Sequence, residues 1–148
     1  MNEHLLNFEA ELFEQSLSTI IKTCKNQKNI LIISIEPERF QNFFNSNESI
    51  IEILQYNFNE NIFDKIQNKD FKIIVLDRIL ETLSDPKELL EKLSKFLSLN
   101  GFLLIHFYNF SNIINRIKLL DGDLHNQNFT LSARFFSLRD ILLLFSKI

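Results

Sequence analysis

Short apolar runs separated by amphipathic stretches predict the secondary structure of this chain. The run at 30–35 after Asn29 indicates a strand that is covered on both faces, and the runs at 71–76 and 102–107 indicate two further strands. A fourth strand is predicted at 49–54. Stretches with helical character are found at about 3–26, 38–46, 60–68, 85–98, 111–119 and 138–146. Alternating strands and helices indicate an α/β domain with a parallel sheet.

Two of the predicted helices carry clear boundary signals. Asp85 is an N-cap residue, Pro86 takes the first helical position, and Glu88 stands where a capping box requires it. Asn100-Gly101 is expected to end this helix, and Ser137 is expected to cap the last one. No repeat or low-complexity linker interrupts the sequence. We therefore predict one domain over 1–148, with an N-terminal helix at 1–27 and an α/β core at 29–148.

Composition and charge argue against several classes of binding site and partner. The 148 residues include only 2 glycines, whereas an average composition of about 7% would give roughly ten. This shortage excludes most glycine-dependent phosphate-binding loops. The formal net charge of −3 does not indicate a nucleic-acid partner. No apolar run approaches the ~18 residues of a membrane helix, and the single cysteine, Cys24, suits a reduced compartment. We therefore predict a cytoplasmic protein without membrane association and without a metal site.

The stretch 71–109 resembles the second half of the class I S-adenosylmethionine-dependent methyltransferases. In that family a strand that begins Phe-Asp leads to a Leu-Glu-His-Leu turn, then to Asp-Pro, an amphipathic helix, a Pro-Gly-Gly turn and an apolar strand ending near Asn. Residues 134–138 resemble the segment before the family's next helix. The positions in register are Phe71, Leu80, Glu81, Leu83, Asp85, Pro86, Leu89, Leu93, Leu97, Gly101 and Asn109. The resemblance implies a small Rossmann-like, mostly parallel sheet flanked by helices, of the methyltransferase type but without the last strands.

The family's glycine-rich cofactor motif is absent from this chain. When the first strands are aligned, Ile32 takes the place of the motif's acid, and the three glycine positions hold Ser34, Glu36 and Glu38. Glycines there let the backbone approach the cofactor closely, and glutamate side chains would crowd that space. The segment between the first strand and Phe71 is also shorter than the family requires. The acid that binds the ribose has no clear equivalent, since Glu52 lies inside a strand and Glu60 lies beyond it.

The resemblance places any cofactor crevice at the carboxyl ends of the strands. Its predicted lining is Ser34 and Glu36 after the first strand and Asp77, Arg78 and Ile79 after the third. S-adenosylmethionine is the cofactor that the resemblance implies. The alternative is that Asp77 and Arg78 are simply polar residues at the end of a strand.

Other chemistry-bearing residues have equally simple alternatives. His106 lies in an apolar strand and is either a core or edge residue or a general base. Asp123 and His125 are close in sequence, but a metal site would need more ligands. Cys24 is an inert helical thiol or, less simply, a nucleophile. We assign no catalytic residue from the sequence.

Three functional hypotheses follow from these observations. The first is a methyltransferase-like domain with a degenerate cofactor motif that does not catalyse. It would bind a protein partner or a second copy along an exposed sheet edge, or serve as a subunit of a methyltransferase. The second is an active S-adenosylmethionine-dependent methyltransferase acting on a small molecule, lipid or glycan. The third is a fragment of a longer protein, since the chain stops inside the helix-like stretch 142–148.

Overall fold

The protein is represented by a computed structural model that describes residues 12–13, 15–19, 29–41, 50–57, 60–107, 120 and 136–146. The strands are β1 (Asn29–Ser34), β2 (Ile50–Gln55), β3 (Phe71–Asp77) and β4 (Leu97–His106). The helices are α1 (Glu38–Gln41), α2 (Pro86–Ser94) and α3 (Leu138–Phe145). Residues 12–13 and 15–19 are also helical, and single 3₁₀ turns span Ile62–Asp64 and Leu80–Thr82.

The four strands form one sheet in the order β2-β1-β3-β4, and all three pairings are parallel. This confirms the predicted α/β, Rossmann-like architecture. The chain leaves β2 and crosses β1 to reach β3, so the strand order reverses between β1 and β3. In open α/β sheets this switch point, at the carboxyl ends of the strands, is where ligands bind.

Both faces of the central strands β1 and β3 are covered, as the apolar run at 30–35 predicts for β1. Leu31 and Ile33 of β1 face a cluster that includes the apolar side chains of α2 and α3. Ile30 and Ile32 face the opposite cluster, which contains Leu17 from the N-terminal helical residues and Phe40 from α1. Because neighbouring residues of a strand point to opposite faces, such a strand carries no polar alternation.

The helix predicted at 85–98 is shorter than expected. Asp85 caps α2 by accepting hydrogen bonds from two backbone N–H groups, but the Glu88 carboxylate pairs with Lys92 instead of completing a capping box. The helix ends at Ser94 because the Phe96 carbonyl accepts a hydrogen bond from the N–H of Phe71, 2.8 Å away, and β4 begins at Leu97. The sheet pairing therefore takes residues that the amphipathic pattern assigned to the helix.

The residues Asn100-Gly101 were expected to stop a helix and instead lie in the first part of β4. Asn100 has a φ of 60°, and the β3–β4 register is irregular there. A Cβ on Gly101 would lie 2.8 Å from Leu97 Cγ, so the local bend leaves no room for a side chain. Glycine is required here by close packing within a strand and not by a helix terminus.

The other predicted elements have mixed outcomes. The strand predicted at 49–54 is confirmed as β2, and the helix at 60–68 is reduced to the 3₁₀ turn at Ile62–Asp64. Ser137 caps α3 through a capping box with Asp140. The helix predicted at 111–119 lies outside the described residues. Within the described ranges, no helix has both the length and the apolarity that crossing a membrane requires.

Candidate functional site

Three polar residues meet where β1, β3 and β4 end. The parallel register places Ser34 beside Asp77 and Asp77 beside His106. The Ser34 hydroxyl donates to Asp77 Oδ2 at 2.7 Å, and His106 Nδ1 lies 2.6 Å from Asp77 Oδ1. Ser34 and Asp77 are both fully buried. The switch point is thus bridged by a serine–aspartate–histidine chain of hydrogen bonds.

The surroundings of Asp77 keep it ionised. Burial is the largest single influence and raises the pKa of Asp77. The hydrogen bonds from His106 and Ser34, together with the Coulomb attraction of His106 and Arg39, outweigh burial and hold the pKa below the usual 3.8. An ionised carboxylate only accepts hydrogen bonds, so the proton between Asp77 and His106 resides on Nδ1 of the imidazole.

A second layer of charges covers this chain of hydrogen bonds. Arg39 of α1 places Nη1 at 3.6 Å from Asp77 Oδ2 and at 3.8 Å from Glu36 Oε2. Glu36 Oε2 also forms an ion pair with Nη2 of Arg78. The Glu36 side chain is 53% exposed, whereas the side chains of Arg39 and Arg78 are 23% and 13% exposed. Two largely buried guanidinium groups are therefore bridged by one exposed carboxylate.

The backbone of the two strand exits supports these side chains. The N–H of Glu36 donates to the Ser34 hydroxyl at 2.9 Å, and the N–H of Arg78 donates to the His106 carbonyl at 2.9 Å. Arg78 has a φ of 54°, in the left-handed region that non-glycine residues rarely adopt. Strain of this kind persists where the surrounding contacts hold it in place. Here the hydrogen bond to β4 and the ion pair to Glu36 hold it.

Aromatic rings cover the histidine. The ring of Phe13 stacks on His106 with centroids 4.2 Å apart and an interplanar angle of 12°. The same ring meets Phe40 edge-on, at 6.4 Å and 89°. Leu17, on the same helical segment, is buried against the sheet. The N-terminal helical residues therefore pack over the carboxyl edge of the sheet, beside the polar network.

Four of the five predicted cofactor-binding residues come together, namely Ser34, Glu36, Asp77 and Arg78. The fifth, Ile79, is fully buried in the apolar core. That these five residues bind a cofactor stays a prediction. The simpler alternative was a polar residue at the end of a strand. Asp77 does end β3, but it is buried and both of its carboxylate oxygens take part in hydrogen bonds. No local sequence pattern connects Arg39 or His106 to the site, although alignment of the last polar residue of each parallel strand joins His106 to Asp77.

The carboxylates considered as ribose ligands are engaged elsewhere. Glu52 accepts hydrogen bonds from the N–H of Gln67 and the amide of Asn68. Glu60 pairs with Lys65, which lowers the pKa of Glu60. Cys24, Tyr108, Asn109, Asp123 and His125 lie outside the described residues. Among the described residues, no three His, Cys, Asp or Glu side chains cluster as a metal site would need.

An open cavity of about 200 Å³ lies between the turn at Ile62–Asp64 and the start of α2. Its lining combines Tyr56 and Phe63 with the carboxylates of Glu60, Asp85 and Glu88. Each of these carboxylates already has a lysine or backbone N–H partner. Burial raises the pKa of Tyr56. The cavity therefore presents no unpaired charge, and the polar network at the switch point is the stronger candidate site.

Comparisons with known proteins rest on the fold. No protein-family model matches the sequence, and no curated protein matches it. A solved structure of a SAM-dependent methyltransferase, possible histamine N-methyltransferase, from Thermotoga maritima is similar, with 15% identity and a TM-score of 0.58. The alignment covers 95% of this chain and 72% of that chain.

Two further solved structures are similar. The CurJ carbon methyltransferase has 9% identity and a TM-score of 0.54, with 83% of this chain and 42% of that chain aligned. The YcgJ protein from Bacillus subtilis has 14% identity and a TM-score of 0.52, with 90% of this chain and 67% of that chain aligned. At these identities the similarity establishes the fold alone. The chain has a Rossmann-like fold of the kind found in SAM-dependent methyltransferases.

Proposed function

We propose that this chain is a methyltransferase-like domain that does not transfer methyl groups and that acts by binding a protein partner, including service as a subunit of a methyltransferase. One observation carries the proposal. The switch point, where related folds bind their ligands, is filled by the protein's own bonded side chains. The bridging groups are Ser34, Glu36 and Asp77, with Arg39 and Arg78 around them.

The residues at the switch point do not fit S-adenosylmethionine. Ser34 stands at a glycine position, and its hydroxyl is buried against Asp77. The N–H of Glu36, a backbone donor in the strand-exit turn, is already bonded to that hydroxyl. The Glu36 side chain extends to Arg78. Hydrogen bonds to charged groups contribute about 1.5–3 kcal/mol each, so a cofactor would have to replace several of them.

The partner surface that we propose is the outer edge of β4. Within the described sheet β4 pairs on one side, with β3. It also exposes apolar side chains, since Leu99 and Phe102 are 89% and 52% exposed. The free edge of a strand offers backbone donors and acceptors to a strand from another chain. A protein partner or a second copy of this chain would add such a strand.

The cofactor part of the proposal is tested by titrating the purified protein with S-adenosylmethionine and S-adenosylhomocysteine. We expect no heat release and no rise in melting temperature at millimolar ligand. Micromolar binding with a rising melting temperature would overturn the proposal, because ligands stabilise the state they bind. A variant with Ser34→Gly, Glu36→Gly and Glu38→Gly restores the glycine positions. It is the matched control, and a gain of binding there would identify the side chains as the obstacle.

The partner part is tested by light scattering on size-exclusion fractions at several concentrations. A second copy at the β4 edge would give a mass that rises with concentration, and Phe102→Lys would abolish the rise. Leu138→Lys alters an apolar residue on α3 that is also more than half exposed, and it should leave the rise unchanged. A monomeric wild type would exclude the second copy and leave a different protein as the partner. A rise that both variants retain would exclude this edge.

The alternative function is an active S-adenosylmethionine-dependent methyltransferase on a small molecule, lipid or glycan. One observation favours it. Asp77 holds Nδ1 of His106 at 2.6 Å, and a carboxylate that orients an imidazole in this way is a common support for a general base. Formation of S-adenosylhomocysteine by the wild-type protein, lost in His106→Gln, would support this alternative.

A further inference from the structure

We propose that Arg39 and Arg78 form a binding site for a small oxyanion, a carboxylate or phosphate group, and that Glu36 occupies this site as an internal substitute for the ligand. The inference rests on the proposed function in one respect, which is that S-adenosylmethionine does not fill the crevice. It adds a ligand class to the polar network at the strand ends.

The guanidinium group of Arg39 is the first reason. Its Nη1 lies 3.6 Å from Asp77 Oδ2 and 3.8 Å from Glu36 Oε2, and both distances exceed hydrogen-bond length. Its Nη2 is buried and has no hydrogen-bond partner among the described residues. A guanidinium has five N–H donors, and a buried donor without an acceptor is destabilising. In the part of the chain that the structure describes, the Arg39 guanidinium group therefore lies beside two carboxylates without an acceptor at hydrogen-bond distance.

The position of Glu36 is the second reason. Its carboxylate oxygen Oε2 lies between Nη1 of Arg39 and Nη2 of Arg78. A carboxylate at this point shows where an anion is stabilised by both guanidinium groups. Glu36 is also the most exposed of the three side chains, so it can turn into solvent when another anion pairs with the two largely buried guanidinium groups. The hydrogen bond from the N–H of Arg78 to the His106 carbonyl does not depend on Glu36.

The charge balance is the third reason. Arg39 and Arg78 carry two positive charges, and Asp77 and Glu36 carry two negative charges. When Glu36 turns outward, the remaining three groups have a net charge of one positive unit. A planar carboxylate or a tetrahedral phosphate would neutralise that unit and accept the two parallel hydrogen bonds that an arginine fork offers.

The experiment measures melting temperature against inorganic phosphate or acetate, with chloride replacing them at constant ionic strength. The proteins are the wild type, Glu36→Gln and the control Glu38→Gln. Glu38 is exposed, has the same charge and lies two residues away on α1. We expect a saturable rise in all three, with a midpoint about tenfold lower in Glu36→Gln because the internal competitor has lost its charge. The phosphate and acetate arms distinguish the two anion classes.

Equal midpoints in Glu36→Gln and Glu38→Gln, or no saturable rise with either anion, would overturn the inference. Arg39→Lys in the Glu36→Gln background keeps the charge and removes the fork, and we expect it to abolish saturation. If that double variant does not fold, broadening of the ³¹P signal of phosphate by Glu36→Gln protein is measured instead, and its absence would overturn the inference. S-adenosylmethionine is titrated in parallel. Binding of the cofactor alone would overturn both proposals, and phosphate binding alone would support both.

Discussion

Replacing Asp77 with Asn tests the network at the strand ends, because this change keeps the shape of the side chain and removes its charge. Asp77 is fully buried and accepts hydrogen bonds from Ser34 and His106, and Arg39 lies 3.6 Å away. Asparagine has only one acceptor oxygen, and its NH₂ group would face a hydrogen-bond donor of either Ser34 or His106. It would also leave Arg39 without its buried counter-charge. We therefore expect a less stable protein with the same fold.

The magnitude follows from these contacts. Hydrogen bonds to a charged group contribute about 1.5–3 kcal/mol each, and removing one partner of a buried ion pair costs about 3–5 kcal/mol. Asparagine retains one acceptor, and water reaches part of Arg39, so both values are reduced. We expect the free energy of unfolding to fall by about 2–4 kcal/mol, which lowers the melting temperature by roughly 5–15 °C for a chain of this size.

The effect depends on pH in a defined direction. The pKa of Asp77 is lower in the folded protein than its usual value of 3.8. The stabilisation by its carboxylate is therefore complete above 3.8 and is lost as the pH falls through the folded pKa. The difference between wild type and Asp77→Asn should be large near neutral pH and should shrink below about pH 4.

Urea denaturation followed by circular dichroism measures this difference as a shift of the midpoint at constant slope. Asp70→Asn is the matched control. Asp70 is exposed and has a φ of 61°, a conformation that Asn also accepts, so its effect should stay within about 0.5 kcal/mol. A loss below about 1 kcal/mol at pH 7 would refute the reasoning about the buried charge. So would an equal difference at pH 7 and at pH 3.

Three further changes test the rest of the structure by the same denaturation assay. Ser34→Ala removes a donor to Asp77, so the free energy of unfolding should fall by about 1–3 kcal/mol. An unchanged denaturation midpoint would mean that the hydroxyl does not contribute to stability. Leu93→Ala empties a fully buried position of α2 and should cost about 2–5 kcal/mol; a smaller effect would contradict the packing of α2 on the sheet. Asp85→Ala removes the acceptor for two backbone N–H groups at the start of α2, so the free energy of unfolding should fall by about 1 kcal/mol. Asp85→Asn keeps an acceptor oxygen and should retain most of that stability.

Local pattern was enough to predict most of the fold. The apolar run after Asn29 has no polar alternation and predicts a strand covered on two faces, and the run from Phe71 also predicts a strand. Their burial confirms this. Asp85 and Ser137 cap helices because capping involves residues within one turn of each other. The failure at residues 97–101 has the opposite cause, since pairing with β3 overrode the amphipathic pattern there.

The candidate site could be predicted only in part. Ser34 and Asp77 are expected at one crevice because the resemblance to methyltransferases places a cofactor crevice at the carboxyl ends of the strands. Arg39 carried no signal, because its role depends on how α1 returns over that edge. From the sequence, His106 is either a core or edge residue or a general base, because its partner is known only once the β3–β4 register is known.

What the sequence alone determined about this protein is therefore local: which runs form strands, where helices begin, and which polar residues follow each strand. These features depend on periodicity and capping over a few neighbouring residues. The tertiary structure decided the strand order, the register and the polar network. The Ser34–Asp77 hydrogen bond joins residues 43 positions apart, and the Asp77–His106 bond joins residues 29 positions apart. Such contacts form only when the whole sheet is assembled, because burial of both strand faces sets the register that brings these side chains together.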